Sequence, residues 1–346
     1  MNVRPNNPMS NTRPVFLLSL FLATFNMAFS AEEPSKDPLQ PAIDWVTLQP
    51  GSFIQGSPET EVGRSKDEQL HRVNITSTFQ IGPTEVTNEQ MRSVLQKALD
   101  DGLLLPAKVK VTLLAPGAKN PTQILRYENS AIQFEMGKFV IRSGAENHPC
   151  IGVSWYGAQI YANFCSSRDG LDQAIDLSDW SCNFSSNGYR LPTEAEWEFA
   201  CRAGSSSQIS NGSITVNPFS AREKIEALNP SLDKIAWHHG NSKLENPERY
   251  TPRGTHQVAQ KAPNHWGLYD MHGNAEEWCW DWFADYETGE QINPTGPDKG
   301  WRKVARGGNY TQLAKELRSA RRRAALPFQG TTTKGFRLVR TIPSNQ

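Results

Sequence analysis

The chain has 346 residues, in which 36 Lys and Arg side chains are balanced by 36 Asp and Glu side chains. A balanced charge produces no field that would attract a nucleic acid or an anionic membrane, so we expect neither as a partner. The length is enough for one large domain or two ordinary ones.

Residues 1–30 have the composition of a secretory signal peptide. They contain Arg4 and Arg13 but no acidic residue, then a short apolar run over residues 15–25 and small residues before Ala31. The apolar run is too short for a membrane-spanning helix. We therefore expect an exported protein, periplasmic or extracellular, with no membrane span in the mature chain.

The rest of the chain is predicted to contain short strands, a few capped helices and long loops. Residues 31–42 hold three prolines among charged residues and predict a linker. Periodicity and turn residues predict strands within residues 43–54, 71–81, 109–114, 134–141, 301–309 and 335–340. N-cap residues predict helices that begin after Thr87, Ser154 and Thr193 and end near residues 99, 168 and 204. Because the elements are short and the loops long, as over residues 205–242, we interpret residues 43–342 as one irregular, loop-rich α+β domain.

Residues 264–283 are the most distinctive stretch of the sequence. They combine four tryptophans with two glycines and the carboxylates of Asp270, Glu276, Glu277 and Asp281, a mixture that matches neither a plain amphipathic helix nor a plain strand. Large aromatic rings exclude water, and a carboxylate in a dry setting needs a donor or a hard cation. Two interpretations remain open, an oxygen-lined cation site and a tryptophan-rich core with arginine-paired acids.

The five cysteines favour buried thiols over a disulfide framework. They are Cys150, Cys165, Cys182, Cys201 and Cys279, an odd number with no C-x-x-C pair. Cys165 and Cys201 fall on the apolar faces of predicted helices, where a thiol behaves as a small hydrophobic group. A disulfide between Cys182 and either Cys150 or Cys165 is the alternative.

Two groups of charged residues are predicted to be structural. Capping boxes and ion pairs at helix ends account for the first group, Arg190, Glu194, Glu196 and Arg202. The second group is the basic run Arg318, Arg321, Arg322 and Arg323, which we expect to pair with carboxylates of the same domain. Binding of an acidic or sulfated partner is the alternative for this run.

Six sequence blocks, in their order and spacing, resemble the formylglycine-generating enzyme or sulfatase-modifying-factor family. They are E-V-T-N (85–88), G-Y-R-L-P-T-E-A-E-W-E-F-A-C-R-A-G (188–204), G-L-Y-D-M-H-G-N-A-E-E-W (267–278), R-G-G-N-Y (306–310), R-S-A-R-R-R (318–323) and G-F-R-L-V-R (335–340). The resemblance covers approximately residues 43–340. It implies a C-type-lectin-like α+β fold with little regular secondary structure.

The resemblance also marks where the chain departs from active family members. Those members oxidise a cysteine of a sulfatase peptide to formylglycine, using dioxygen, copper and a reactive cysteine pair. The corresponding positions here are Gln312 and Leu317, while Asn309 replaces a serine and Glu276 a tryptophan. Thiolate is the soft ligand that selects Cu(I), and neither an amide nor a hydrocarbon replaces it. We expect no thiol–copper oxidase, no copper or iron cofactor, and a cleft at these four residues that binds a peptide, protein or glycan.

The resemblance further implies a calcium site and no family disulfides. Asp270, Gly273, Ala275 and Glu277 match the family's ligands, a mixture of side-chain and backbone oxygens that suits Ca²⁺. A second family site would use Asn241 and Ser242. The family disulfide partners of Cys165 and Cys201 fall on Leu338 and Arg322, so neither bridge is expected.

The alternative function is that of an oxidoreductase of the wider family, with a metal held by histidine or carboxylate instead of thiolate. The candidate ligands are His238, His239, His256, His265 and His272. Adjacent histidines point in different directions unless a turn intervenes, so we favour the binding or scaffold interpretation.

Overall fold

The computed structural model describes residues 45–113, 122–214, 229–244 and 253–343, all of which belong to one compact unit. The predicted signal peptide (1–30) and linker (31–42) lie outside the described residues. Within the described part of the chain, no helix is both long enough and apolar enough to cross a membrane.

Four α-helices occur among the described residues. They are α1 (Asn88–Asp100), α2 (Trp155–Arg168), α3 (Glu194–Arg202) and α4 (Pro230–Ile235), with short 3₁₀ turns at Tyr127–Asn129 and Ala314–Glu316. The first three begin where they were predicted to begin. Thr87 and Thr193 close full capping boxes, and the Ser154 side chain accepts from the Gly157 amide.

Helix α4 was not predicted, and it lies within residues 205–242, which were interpreted as loop-rich. It begins at Pro230, immediately after Asn229. Proline suits the first position of a helix, because its fixed φ is helical and its missing amide hydrogen would have had no partner there. The sequence Asn229-Pro230 was therefore a helix start rather than a loop.

The strands are short and scattered over the whole described chain. They are β1 (Val46–Leu48), β2 (Gly51–Gln55), β3 (His71–Ile75), β4 (Phe79–Ile81), β5 (Leu104–Pro106), β6 (Lys110–Leu113), β7 (Thr122–Arg126), β8 (Ile132–Glu135), β9 (Lys138–Ile141), β10 (Tyr189–Arg190), β11 (Ala236–Trp237), β12 (His272–Gly273), β13 (Glu276–Trp282), β14 (Gln291–Ile292), β15 (Lys303–Arg306), β16 (Arg323–Ala325), β17 (Lys334–Gly335) and β18 (Val339–Thr341).

Two four-stranded sheets organise the domain. The first has the order β1-β4-β18-β10, so the last strand of the chain pairs with β4 from its beginning. The second has the order β16-β15-β13-β17 and carries the tryptophan-rich stretch on β13. Smaller sheets are β14-β3-β2, β5-β6-β7, β8-β9 and β11-β12. Pairing between distant segments holds the long loops in place.

Three predictions of single elements need correction. Residues 71–81 form two strands, β3 and β4, which belong to different sheets, and residues 335–340 are divided between β17 and β18. The second half of residues 264–283 forms a strand, β13, whose register shifts between Trp278 and Trp282, although the stretch was interpreted as unlike a plain strand. Both faces of β13 are largely buried, so the alternation that usually reveals a strand is absent.

The tryptophans form the centre of the core. Trp155, Trp197 and Trp278 are fully buried. The indole nitrogen of Trp155 donates to the Cys279 carbonyl oxygen at 2.8 Å, and that of Trp278 donates to the Val153 carbonyl oxygen at 3.1 Å. These bonds join the N-terminal end of α2 to β13, because a buried indole N–H needs an acceptor.

All five cysteines are free thiols, and four of them are buried; Cys182 is partly exposed. The prediction of buried thiols is confirmed, and the alternative disulfide between Cys182 and Cys150 or Cys165 is wrong. Burial raises the pKa of the Cys201 thiol to about 12, which makes it a poor nucleophile at neutral pH.

Candidate functional site

The acids and arginines of helix α3 form a closed ion-pair network. The two guanidinium nitrogens of Arg190 bind the Glu196 carboxylate, each at 2.7 Å. Glu194 accepts from Arg322 at 2.7 and 2.8 Å and from Arg306 at 3.1 Å. Arg202 pairs with the neighbouring Glu198 at 2.7 Å. The structural role predicted for Arg190, Glu194, Glu196 and Arg202 is confirmed.

The basic run that follows the turn at Gly307 and Gly308 (the glycine turn) is also paired within the domain. Arg318 contacts Glu61 at 2.6 Å and Glu68 at 2.7 Å, Arg321 contacts Glu316 at 2.9 Å, and Arg323 contacts Glu276 at 3.0 Å. Together with the Arg322–Glu194 pair, these contacts confirm the predicted pairing with carboxylates of the same domain.

The five candidate histidines lie in different surroundings and do not face one another as a group. His238 contacts the Asp233 carboxylate at 2.7 Å, His256 stacks on Trp237 with centroids 3.8 Å apart, and His272 contacts the Leu317 carbonyl oxygen at 2.7 Å. The backbone of His239 donates to the Gln312 carbonyl oxygen, and His265 is exposed. Within the described residues, no three His, Cys, Asp or Glu side chains are grouped to hold a metal.

The four candidate cleft residues lie close to the glycine turn but are mostly buried. Glu276, Asn309 and Leu317 are buried, whereas Gln312 is partly exposed. Glu276 is held by Arg323 and by Lys334, whose amine lies 3.2 Å away. The Asn309 side-chain oxygen accepts from the amide and hydroxyl of Thr311.

Leu317 belongs to an apolar cluster that fills the space beside the turn. Its partners are Ile209, Ile214, Leu232, Ile235, Ala236 and Ala314. A Cβ added at Gly308 or Gly273 would lie 3.0 Å from the Leu317 side chain, so the leucine packs directly on both glycines. The Gln312 side-chain oxygen is buried, and no donor among the described residues reaches it. Residue 317 therefore presents a packed hydrocarbon, and residue 312 presents an amide whose oxygen has no donor in the described chain.

The predicted calcium residues surround a tight turn between α3 and β13. Asp270 has a φ of +56°, a left-handed conformation that aspartate tolerates better than most residues. Gly273 has a φ of +97°, and a Cβ there would lie 2.1 Å from the Trp237 carbonyl oxygen, so only glycine fits. One Asp270 oxygen accepts from the Ala259 amide at 2.8 Å. Its other oxygen is buried and receives no hydrogen bond from the described chain.

Glu277, by contrast, has both carboxylate oxygens occupied. Arg337 binds them through two nitrogens, each at 2.7 Å, and the Trp197 indole donates to one of them at 2.8 Å. Arg337 also donates to the Gly82 carbonyl oxygen at 3.1 Å. Of the four acids in residues 264–283, Glu276 and Glu277 are thus paired with cations, as the tryptophan-core interpretation requires.

A third acid, Glu85, lies at this turn and was not among the predicted ligands. One of its oxygens accepts from the Ala275 amide at 3.2 Å, and the other is buried without a donor in the described residues. Burial raises the pKa of Glu85 well above its usual range, and the charges of Asp270 and Glu277 raise it further. Burial likewise raises the pKa of Asp270 to about 6. The signal in the sequence was an acid two residues before the N-cap Thr87, within the first family block.

The residues of the second family site have other partners. Asn241 accepts from the His238 amide at 2.9 Å and donates to the Ala236 carbonyl oxygen at 2.9 Å. The Ser242 hydroxyl donates to the Tyr310 carbonyl oxygen at 2.7 Å. Both side chains therefore connect the segment after α4 to itself and to the glycine turn.

Comparison with known proteins places this architecture in a family. Residues 30–342 match the model of the sulfatase-modifying factor enzyme 1-like domain. The chain belongs to this family. The loop-rich α+β fold predicted from the sequence is confirmed, since Treponema denticola variable protein 1 superimposes with a TM-score of 0.60 at 25% identity, over 86% of this chain and 95% of that one.

Relatives of the family differ widely in their named activities. Serine/threonine-protein kinase pkn1 of Chlamydia pneumoniae is 30% identical over 315 residues, covering 90% of this chain but 40% of the kinase. Formylglycine-generating enzyme of Bos taurus is 31% identical over 195 residues, 55% of this chain and 43% of the enzyme. The chain spans less than half the length of either relative.

The calcium ion that the family implies fits this turn in part. Asp270 offers a buried oxygen that receives no hydrogen bond from the described residues, and Gly273 follows it three residues later in the chain. Glu277 does not fit, because Arg337 and Trp197 already bind its carboxylate. Hard oxygen donors suit calcium better than copper or iron, which prefer nitrogen or sulfur ligands.

Proposed function

We propose that this chain is an exported binding or scaffold member of the sulfatase-modifying-factor family, stabilised by calcium and without thiol–copper formylglycine-generating activity. The observation that carries the proposal is the position of Leu317. It is fully buried in an apolar cluster at a site where the family's chemistry requires a thiolate.

The chain's thiols support this reading. Cys201 contacts His272 at 3.6 Å, and neither side chain is exposed. Burial raises the pKa of Cys201 to about 12 and lowers that of His272 to about 4, so each group is held neutral. A neutral, enclosed thiol neither reacts as a nucleophile nor binds copper readily.

A binding role is supported by an open groove at the C-terminal end of α3. The groove has a volume of about 660 Å³ and lies along β1 and β2, with Phe53, Phe199 and Trp266 among its lining residues. Aromatic side chains at the edge of a pocket suit a peptide or a glycan, because they offer both stacking and apolar contact. The partner is therefore proposed to be a peptide, protein or glycan.

The proposal is tested by assaying the purified mature chain with copper, dioxygen and a cysteine peptide of sulfatase sequence. We expect no aldehyde on the peptide, while an active formylglycine-generating enzyme in the same buffer gives product. Aldehyde formed by this chain would contradict the proposal. Stoichiometric copper or iron together with oxygen consumption would instead favour an oxidoreductase with a different metal centre.

Export is tested separately by mass spectrometry of the chain expressed in its own host. The proposal predicts a processed N-terminus near Ala31 and recovery outside the cytoplasm. Full-length chain retained in the cytoplasm would contradict it.

A further inference from the structure

The turn at Asp270 leaves two buried acids uncompensated. Glu85 and Asp270 are 1% and 2% exposed, and each has one carboxylate oxygen that receives no hydrogen bond from the described residues. The charge of Asp270 acts on Glu85, so the two acids share one buried region. A buried carboxylate without a partner is strongly unfavourable, and native proteins rarely leave two in one region. The arrangement therefore points to a missing positive partner.

The local cations are already directed elsewhere. Arg337 lies against the same turn but binds both oxygens of Glu277 and the carbonyl oxygens of Gly82 and Tyr269. The Lys261 amine donates to a backbone oxygen at 2.8 Å and lies 4.1 Å from the Trp237 ring. Arg337 pairs with Glu277, and the Lys261 and Arg337 charges act on Asp270 without a hydrogen bond to it. The turn therefore keeps a negative charge when Glu85 and Asp270 are both ionised. A divalent cation balances this charge.

The backbone holds the Glu85 side chain in place at this turn. The amide of Val86 donates to the Phe336 carbonyl oxygen at 2.8 Å, and the amide of Cys150 donates to the Val86 carbonyl oxygen at 2.7 Å. Thr87 then caps α1. Glu85 is thus fixed between two backbone contacts and a helix start, with its carboxylate bonded to the Ala275 amide. A rigid scaffold of this kind is what a preorganised ligand site requires.

We infer that Glu85, together with Asp270, supplies the side-chain carboxylates of a calcium-type cation site, and that Glu277 is a positioning residue that fixes Arg337. The inference rests on the proposed calcium function and assigns its ligands. It differs from the expectation raised by the family resemblance, in which Glu277 binds the ion. We assign the backbone carbonyl oxygens of Gly273 and Ala275 as further ligands, because Ca²⁺ binds carbonyl and carboxylate oxygens together.

The test is a calcium titration of the chelator-treated full chain, followed by calorimetry and thermal unfolding. We expect the wild type to bind one calcium ion and to gain melting temperature with calcium, because a ligand that binds only the native state stabilises it. Glu85→Gln and Asp270→Asn should each weaken calcium binding by at least about tenfold and lose that gain. Without calcium, Glu85→Gln should melt no lower than the wild type, because the amide removes a buried charge and keeps the shape.

Two further variants separate ligation from folding. Glu89→Gln, which changes a half-exposed acid paired with Arg92 on α1, should leave calcium binding unchanged. Glu277→Gln should lower the melting temperature without calcium, because Arg337 loses its partner, yet retain the calcium-dependent gain. If Glu85→Gln does not fold, Glu85→Asp keeps the charge but withdraws the carboxylate and should still weaken binding.

Each outcome decides between the hypotheses. Wild-type affinity in Glu85→Gln or Glu85→Asp, with a normal calcium-dependent gain, would overturn the assignment of Glu85 and leave calcium binding intact. Loss of the gain in Glu277→Gln would return the ligand role to Glu277. A wild type that shows no calcium response would overturn the proposed calcium function together with this inference.

Discussion

The domain contains two buried clusters of charged residues that differ in how their charges are balanced. Around α3, the carboxylates of Glu194 and Glu198 both form ion pairs with Arg306, and Glu194 also pairs with Arg322. Around the turn at Asp270, Arg337 pairs only with Glu277 among the described acids. One oxygen of Glu85 and one of Asp270 have no donor in the described chain. Both clusters lie beside β13, so position in the core does not explain the difference.

The comparison separates a structural role from a ligand-binding role. A buried acid that is matched by a guanidinium is stable as it stands, although replacing the pair with apolar groups would cost little. A buried acid that lacks a partner is destabilising unless a ligand arrives. The two clusters should therefore respond with opposite sign when a charge is removed from them.

The largest effect is expected from Arg306→Met in the balanced cluster. The arginine is fully buried, and its removal leaves Glu194 and Glu198 with one arginine partner each. We expect a loss of about 3–5 kcal/mol in the free energy of unfolding, the usual cost of breaking a buried ion pair. Urea denaturation measures it.

Arg321→Met is the matched control for that variant. Its pair with Glu316 is about a fifth exposed, so solvent screens it and the loss should stay below about 1 kcal/mol. Equal losses in the two variants would show that the buried ion pairs around α3 contribute no more to stability than an exposed pair.

The apolar cluster beside the glycine turn provides the next largest effect. Leu317→Ala removes a fully buried side chain that packs on two glycines, so we expect a loss of about 2–5 kcal/mol in unfolding free energy. Leu313→Ala, at a half-buried position on the same segment, is the control and should lose less. A neutral Leu317→Ala would mean that this position is an open cleft.

One acid at the edge of the balanced cluster should make stability depend on pH. Burial and the charge of Glu194 raise the pKa of Asp281 to about 7, while Lys303 and Arg322 oppose this. A raised native pKa means that the native state holds the proton more tightly, so the contribution of Asp281 to stability is fully present below about pH 4 and is lost as pH rises from 4 through 7. The expected loss is a few kcal/mol, on the order of 4, since a rise from 3.8 to about 7 spans about three pKa units of about 1.4 kcal/mol each.

Unfolding measured between pH 4 and 7, with Asp281→Asn beside the wild type, checks this dependence. The variant should show a flatter profile in this range. An identical slope in both proteins would assign the dependence to other groups.

The smallest effect concerns the helix start that follows Glu85. Thr87→Ala removes the N-cap of α1, and we expect a loss of about 1 kcal/mol in the free energy of unfolding. Because the Glu85 backbone keeps its other contacts, calcium affinity should change little. A large loss of affinity would show that the unbalanced cluster depends on the helix cap.

The features that were predicted most accurately from the sequence are those that depend on residues close together in the chain. The starts of α1, α2 and α3 follow from Thr87, Ser154 and Thr193, whose side chains cap amides within the next turn. The internal pairing of the basic run was also predictable, because a balanced composition leaves few unpaired buried charges. These features need only residue types and close spacing.

The remaining features depend on contacts between distant segments. The break between β3 and β4 is invisible in their shared alternation, since each strand pairs in a different sheet. Glu85 reaches the Asp270 turn across 190 residues of sequence through its bond to Ala275. The capture of Glu277 by Arg337 likewise joins two blocks that the motif alone treats separately. Only the folded arrangement shows which acid lacks a partner.

The most direct test of the account is a crystal structure of the chain grown with terbium, which replaces calcium and scatters anomalously. The account predicts one strong anomalous peak about 2.3–2.6 Å from both the free Glu85 oxygen and the free Asp270 oxygen, with Glu277 still bound to Arg337. An absent peak, or a peak bound by Glu277 while Glu85 stays away from it, would contradict the account.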